Sequence, residues 1–260
     1  MTRALIGHTG FVGSTLLKQA HFDELFRSTN IGEIAGRSFD LIVCAGAPAQ
    51  KWIANRDPAG DRACIERLIG QLASVHCDRF VLISTVDVFS HPIGVDEGTE
   101  VDETGLHAYG LHRRMLEKVV QKNFRNPLIV RLPGLVGPGL RKNVIFDLLN
   151  HNNLDAIDSR GAFQFYPMVN LWHDLQVALN HHLELLHLTA APVSVQTVAE
   201  QGFGRSFDQP RGERPASYDM RTVHAGLFGG AGHYQYSARE SLQAIRAYAQ
   251  SETPASGVRP

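Results

Sequence analysis

The sequence predicts an α/β protein, a doubly wound parallel sheet followed by a smaller C-terminal portion. Three observations carry that expectation. Short apolar runs alternate with amphipathic stretches through the first half of the chain. The first run ends in a glycine-rich turn, and the alternation weakens after about Gly139. Such alternation implies right-handed crossovers and a sheet covered on both faces.

Each element has its own signal. Residues 4–6 are an apolar run closed by Gly7, a buried strand, and residues 11–20 carry Val12, Leu16 and Leu17 at helical spacing. Residues 24–28 form a weaker second strand, and residues 40–44 a stronger one closed by Ala45 and Gly46. A full crossover with its helix takes roughly 10–12 residues or more, so the short stretch before Asp40 allows only a stub. Residues 62–75 place Ile65, Leu68, Ile69 and Leu72 on one helical face. A strand at 79–83, a helix at 109–124 and a strand at 128–132 stopped by Pro133 and Gly134 follow. Beyond them, residues 144–149 and 171–186 read as helices, 193–198 as a strand, 202–215 as a loop, 237–249 as a helix and 254–260 as a frayed tail.

Composition narrows the function classes. The chain has 260 residues, 43% of them hydrophobic and 20% charged, an ordinary balance for a packed domain. Twenty-five Lys and Arg against 26 Asp and Glu give a net charge of −1, which disfavours a nucleic-acid partner. No run of apolar residues is long enough for a membrane span, and the first one is too soon broken by glycine for a secretory leader. Cys44, Cys64 and Cys77 form neither a CxxC pair nor a metal spacing, and read as reduced thiols of a cytoplasmic protein. His173, His181, His182 and His187 offer no i, i+4 pair, so no metal is expected and they read as exposed.

Three features point to chemistry. Gly7-His8-Thr9-Gly10-Phe11-Val12-Gly13 is GxxGxxG between a strand and a helix, where glycine lets backbone N–H groups approach a pyrophosphate, as in a Rossmann-type dinucleotide fold. At the end of the second strand Arg27 and Ser28 stand where an acidic residue would otherwise read the ribose, which puts NADP ahead of NAD. Thr85 closes the strand at 79–83 two residues on, and Tyr109 opens a helix with Arg113 at i+4. A cation on the same helical face favours phenolate over phenol, so Tyr109 is expected to ionise below about 10. Residues 226–232 read as a flexible turn.

With GHTGFVG, CAGAP, LISTVDVF, YGLHR and RLPGLVGPG on the page, the sequence resembles the extended short-chain dehydrogenase/reductases, also called the NAD-dependent epimerase/dehydratase family. Within that family it is most similar to the dTDP-4-dehydrorhamnose reductase branch, through the short second crossover, the STxxVF motif and the stretch Arg214-Pro215-Ala216-Ser217-Tyr218-Asp219. The resemblance implies a dinucleotide-binding domain at 1–140, a small substrate-binding portion at 141–250, partly interleaved with the first, and a flexible tail at 251–260. It implies that Gly7, Gly10 and Gly13 cradle the pyrophosphate, with Phe11 and Val12 as backbone donors, and that Ala45, Gly46 and Ala47 pass the cofactor ribose. Thr85 would hydrogen-bond the reacting oxygen and Tyr109 would give or take the proton. Pro133 and Gly134 would flank the nicotinamide, and Asn143 and Arg214 would approach a nucleotide-sugar diphosphate or its base.

Two positions depart from the family pattern. Arg113 replaces the lysine of YxxxK, keeping the charge on a larger planar fork, and Asp61 stands where many members carry a cofactor-side asparagine. The implied activity is an NAD(P)-dependent nucleotide-sugar reductase or epimerase, with a small-molecule substrate and room for a homodimer. The alternative is a dinucleotide-binding sensor or assembly protein without hydride transfer, for which Arg113 is the motive.

Overall fold

A computed structural model describes residues 1–254; of the tail expected at 251–260, Ser251 ends the last helix and 255–260 lie outside the described residues. In chain order the elements are β1 (Arg3–Ile6), α1 (Phe11–Gln19), β2 (Glu24–Phe26), β3 (Ser38–Cys44), α2 (Lys51–Arg56), α3 (Pro58–Leu72) and β4 (His76–Thr85). Then come β5 (Ile93–Val95), α4 (Ala108–Asn123), β6 (Pro127–Leu132), β7 (Gly134–Val136), α5 (Val144–Asn150), β8 (Ala162–Phe163) and β9 (Phe165–Pro167). The chain closes with α6 (Leu171–Asn180), β10 (Leu185–His187), β11 (Val193–Ser194), α7 (Val195–Thr197), β12 (Asp219–Met220) and α8 (Ala238–Ser251).

The polypeptide forms two compact units. The first comprises Met1–Ser90, Gly98–Leu132 and Leu171–His187, and the second His91–Glu97, Pro133–Asn170 and the described residues from Leu188 on. The first unit is a Rossmann-type six-stranded sheet in the order β10-β6-β4-β3-β1-β2, every pairing parallel. Ala4, Ile6, Ile42, Phe80, Leu82 and Ile129 meet Ile65, Leu68, Leu116 and Val120 in one core. Leu5, Val43, Val81, Leu128 and Val130 alternate with those strand residues and are buried as well, so both faces are covered. The order reverses at β1, which leaves a crevice beyond the carboxyl ends of β1 and β3.

Where β2 passes to β3 the stub is real: one 3-10 turn, Ile31–Ile34, takes the place of a crossover helix. The helix read at 62–75 starts earlier, because Asp57 caps it by accepting from the Gly60 N–H at 3.0 Å and Pro58 takes the first position. Two expectations fail. The helix read at 171–186 stops at Asn180, and residues 185–187 are the sixth strand, paired with β6. The strand read at 193–198 is only Val193–Ser194, after which Ser194 accepts from the Thr197 N–H and starts a helical turn that widens to a π turn over Val198–Gly202.

Within the second unit, β7 pairs parallel with β9, β8 antiparallel with β11, and β5 parallel with β12. Helix α8 carries a capping box, Ser237 with Glu240. Tyr248 and Ser241 tie the helix to the Leu140 and Phe165 carbonyls.

Candidate active site

The glycine loop is shaped by its own packing at two of its three glycines. Gly7 has φ +84°, and a Cβ there would meet the Ala45 carbonyl oxygen at 2.3 Å; a Cβ at Gly13 would meet the Gly7 carbonyl oxygen at 2.2 Å. Gly10 differs: a Cβ there would meet nothing nearer than the Gly7 carbonyl oxygen, at 3.5 Å. Packing within the protein therefore does not require glycine at position 10. Gly10 is also the N-cap of α1 and offers no side-chain cap to that helix. A bare N-terminus, with the positive end of the helix dipole beside an open cradle, suits a pyrophosphate. The N–H of Gly7 donates to the Phe26 carbonyl and that of Ala45 to the Ile6 carbonyl, so the ends of β2 and β3 border the loop. The strand expected at 24–28 ends at Phe26, and Arg27 and Ser28 stand exposed in the turn just past it, held by the Arg27 N–H on Asn30 Oδ1 at 2.7 Å. Gly46 leans on Ile6, and Ala47 packs at the edge of the core.

Thr85 and Tyr109 come together in this first unit. Thr85 ends β4 and caps the 3-10 turn Val86–Val88 by accepting from the Asp87 N–H at 3.2 Å. Its hydroxyl also reaches Asp87 Oδ2 at 3.5 Å and lies near enough to the Tyr109 phenol to favour the phenolate. Tyr109 is the second residue of α4, whose N-cap His107 accepts from the Gly110 N–H at 3.1 Å. Its own backbone N–H donates to Asn55 Oδ1 of α2 at 3.0 Å. Gly110 permits this approach, because a Cβ there would lie 2.0 Å from the Asp87 carbonyl oxygen.

Arg113 is buried, 3% exposed, and its guanidinium lies 4.0 Å from the centre of the Tyr109 ring. One terminal nitrogen meets Asp61 Oδ2 at 2.5 Å and the other Asp61 Oδ1 at 2.9 Å. The same two nitrogens donate to the carbonyls of Tyr109 and Pro48. His112 joins Asp61 at 2.7 Å. Burial raises the Asp61 carboxyl, but the hydrogen bonds from Arg113 and His112 outweigh it and hold the carboxyl below the usual aspartate value. The two departures from the family pattern are thus partners in one bidentate ion pair.

The expected low phenol pKa is corrected. Burial pushes Tyr109 above its ordinary value; Arg113, the Thr85 hydrogen bond and Lys51 act against that, Asp87 adds to it, and the balance stays upward. Sequence reasoning also missed Lys51, Asn55, Asp87 and His107, which surround this tyrosine; only the complementary charges of Asp61 and Arg113 offered a signal.

The remaining candidates belong to the second unit. Pro133 is buried, and Gly134 opens β7 with the Gln164 carbonyl oxygen 2.5 Å from where its Cβ would be. Asn143 caps α5, accepting from the Ile145 N–H at 2.9 Å and donating to the Leu135 carbonyl at 2.9 Å. Arg214 is exposed. His187, expected at the surface, is fully buried in the first unit, 3.3 Å from Arg131 and edge-on to Phe89. Among the described residues no group of three or more metal-ligating side chains converges, and no helix is long and apolar enough to cross a membrane. All three cysteines are free.

No protein-family model and no curated protein matches the chain. Solved structures do. The Pseudomonas aeruginosa protein RMD, complexed with NADPH, superposes with a TM-score of 0.74 at 17% identity, over 97% of this chain and 100% of that one. A dTDP-4-dehydrorhamnose reductase from Clostridium acetobutylicum gives 0.72 at 16% identity, over 96% and 99%. A UDP-glucuronic acid 4-epimerase from Bacillus cereus, bound to a UDP-sugar and NAD, gives 0.69 at 16% identity, over 96% and 99%. The fold is the one that these reductases and epimerases share.

Proposed function

We propose that the chain is an NAD(P)-dependent oxidoreductase or epimerase acting on a nucleotide sugar. The observation that carries this reading is the Thr85–Tyr109 hydroxyl pair, built on β4 and α4 of the same unit whose β1–β3 crevice opens on the glycine cradle. The kinship in fold with a protein complexed with NADPH and with an epimerase bound to NAD supports it.

In this reading Gly7, Gly10 and Gly13, with the backbone N–H groups of Phe11 and Val12, hold the pyrophosphate. Arg27 and Ser28 meet a ribose 2′-phosphate, and Ala45, Gly46 and Ala47 line the path of the dinucleotide. A bound nicotinamide supplies or accepts the hydride. Thr85 hydrogen-bonds the reacting oxygen, and Tyr109 donates the proton to it in reduction and removes it in oxidation. Arg113, held by Asp61, stacks on the Tyr109 ring and fixes its orientation.

The test is Tyr109→Phe, assayed with NADPH and NADH against a panel of dTDP- and UDP-linked sugars and their keto forms. Turnover should drop by about 10²-fold or more, as for loss of a general acid, while dinucleotide affinity, read by fluorescence, is kept. Full turnover in the variant would remove the mechanism. The sealed Arg113–Asp61 pair favours a second reading, a dinucleotide-binding sensor. Tight cofactor binding with no turnover on any substrate in the unmutated chain would establish that reading instead.

A further inference from the structure

The charged and titratable groups near Tyr109, or paired with one that is, come from four elements. Helix α2 contributes Lys51, the turn after β4 contributes Asp87, α3 contributes Asp61, and α4 with its cap contributes His107, His112 and Arg113. Arg113 stands where the family pattern has its lysine, but it is not a free charge. Both of its terminal nitrogens lie on one carboxylate, it is 3% exposed, and a guanidinium does not release its proton in the useful pH range.

Lys51 is different. Its side chain is 39% exposed, and its ammonium lies 2.7 Å from Asp87 Oδ1. Thr85 Oγ1 accepts the Asp87 N–H at 3.2 Å and lies 3.5 Å from Asp87 Oδ2, and the Thr85 hydroxyl neighbours the Tyr109 phenol. The ion pair of a half-exposed ammonium thus adjoins the threonine that neighbours the phenol. The same short helix fixes the tyrosine's backbone, since Asn55, at i+4 from Lys51, accepts the Tyr109 N–H.

We propose that Lys51, through its ion pair with Asp87, is a second positioning cation of the Tyr109 site, adjustable from solvent where Arg113 is fixed by Asp61. Without Lys51, the Asp87 carboxylate would lose the ammonium 2.7 Å from it and disfavour the phenolate more strongly; without Asp87, the ammonium would favour phenolate. The two charges thus act on Tyr109 with opposite signs. The purpose of this arrangement rests on the oxidoreductase reading, but the coupling belongs to the protein itself.

The test incorporates 3,5-difluorotyrosine at position 109, whose phenol ionises within a range the fold tolerates, and follows its phenolate absorbance against pH in the whole chain without cofactor or substrate. Lys51→Met should move the midpoint up, Asp87→Asn should move it down, and the double variant should return it towards the parent. Lys51→Arg should leave it nearly in place. Lys51→Gln replaces Lys51→Met if the latter does not fold. A merely structural role would move both single variants the same way or neither, and either outcome overturns the inference. Opposite shifts in a chain without turnover would sink the oxidoreductase reading alone. Turnover with an unmoved midpoint would sink this one alone.

Discussion

Asp61 and Arg113 are 52 positions apart in the chain and share a buried bidentate pair, with His112 on the same carboxylate. Each is unusual at its own place, and each accounts for the other. Removing one partner leaves a desolvated charge, so Asp61→Ala should cost about 3–5 kcal/mol, read from denaturant unfolding. Asp61→Asn with Arg113→Lys, which restores the residue types of the family pattern, should be far less destabilised than the sum of its single changes. The sign with pH follows from the depressed Asp61 carboxyl. The pair stabilises fully above an ordinary aspartate value and less as pH falls through the lower folded one. The gap in unfolding free energy between the parent and Asp61→Asn should therefore shrink below about pH 4. A gap that does not change down to acid unfolding would contradict this account. The sequence marked Asp61 and Arg113 as departures; their contact was not legible, because a pairing between α3 and α4 follows from helix packing and leaves no local pattern. His187 was misread for the same reason: its spacing within a supposed helix concealed a buried strand position beside Arg131.

At the scale of elements, the glycine loop was legible because its constraint is local: a strand must turn within a few residues into a helix. The structure adds a division of labour between its glycines. A Cβ at Gly13 would clash with the Gly7 carbonyl, whereas one at Gly10 would meet it only at ordinary contact distance. Gly13→Ala should lower thermal stability, since a Cβ cannot sit 2.2 Å from an oxygen without moving backbone. Gly10→Val should keep the parent's melting temperature yet lose dinucleotide binding. Circular-dichroism melts set beside a cofactor titration separate the two; equal behaviour of both variants would mean that the loop is only a turn. Short elements were the least legible. β10 has three residues and follows a helix without a strong breaker, so its apolar Leu185 and Leu186 read as more helix. Apolar Val193, Val195 and Val198 read as a strand, but Ser194 caps a helical turn, and the hydroxyl cap outweighs β propensity.

For the whole molecule, the parallel sheet followed from alternation, whereas the points at which the chain passes between the two units lie far apart in sequence and leave no local pattern. The missing crossover helix between β2 and β3 has a consequence of its own. β2 is left as the edge strand of the six, and its end carries Arg27 and Ser28 beside the loop, exposed. A dinucleotide seated on that loop stabilises the folded chain by mass action, about 2.7 kcal/mol at a hundredfold excess over its dissociation constant. For a chain of this size each kcal/mol is worth roughly 2–4 °C of melting temperature. Saturating NADPH should therefore raise the melting temperature by roughly 5–10 °C. NADH at the same concentration should raise it less, because Arg27 and Ser28 would meet a 2′-phosphate and no acidic residue follows them within the next four positions to hold a free 2′-hydroxyl. Arg27→Ala should shrink the NADPH shift to the size of the NADH shift and leave the latter unchanged. Equal shifts for both cofactors in the parent would mean that the strand end does not read the phosphate, and a shift for neither would remove the dinucleotide site from this crevice altogether.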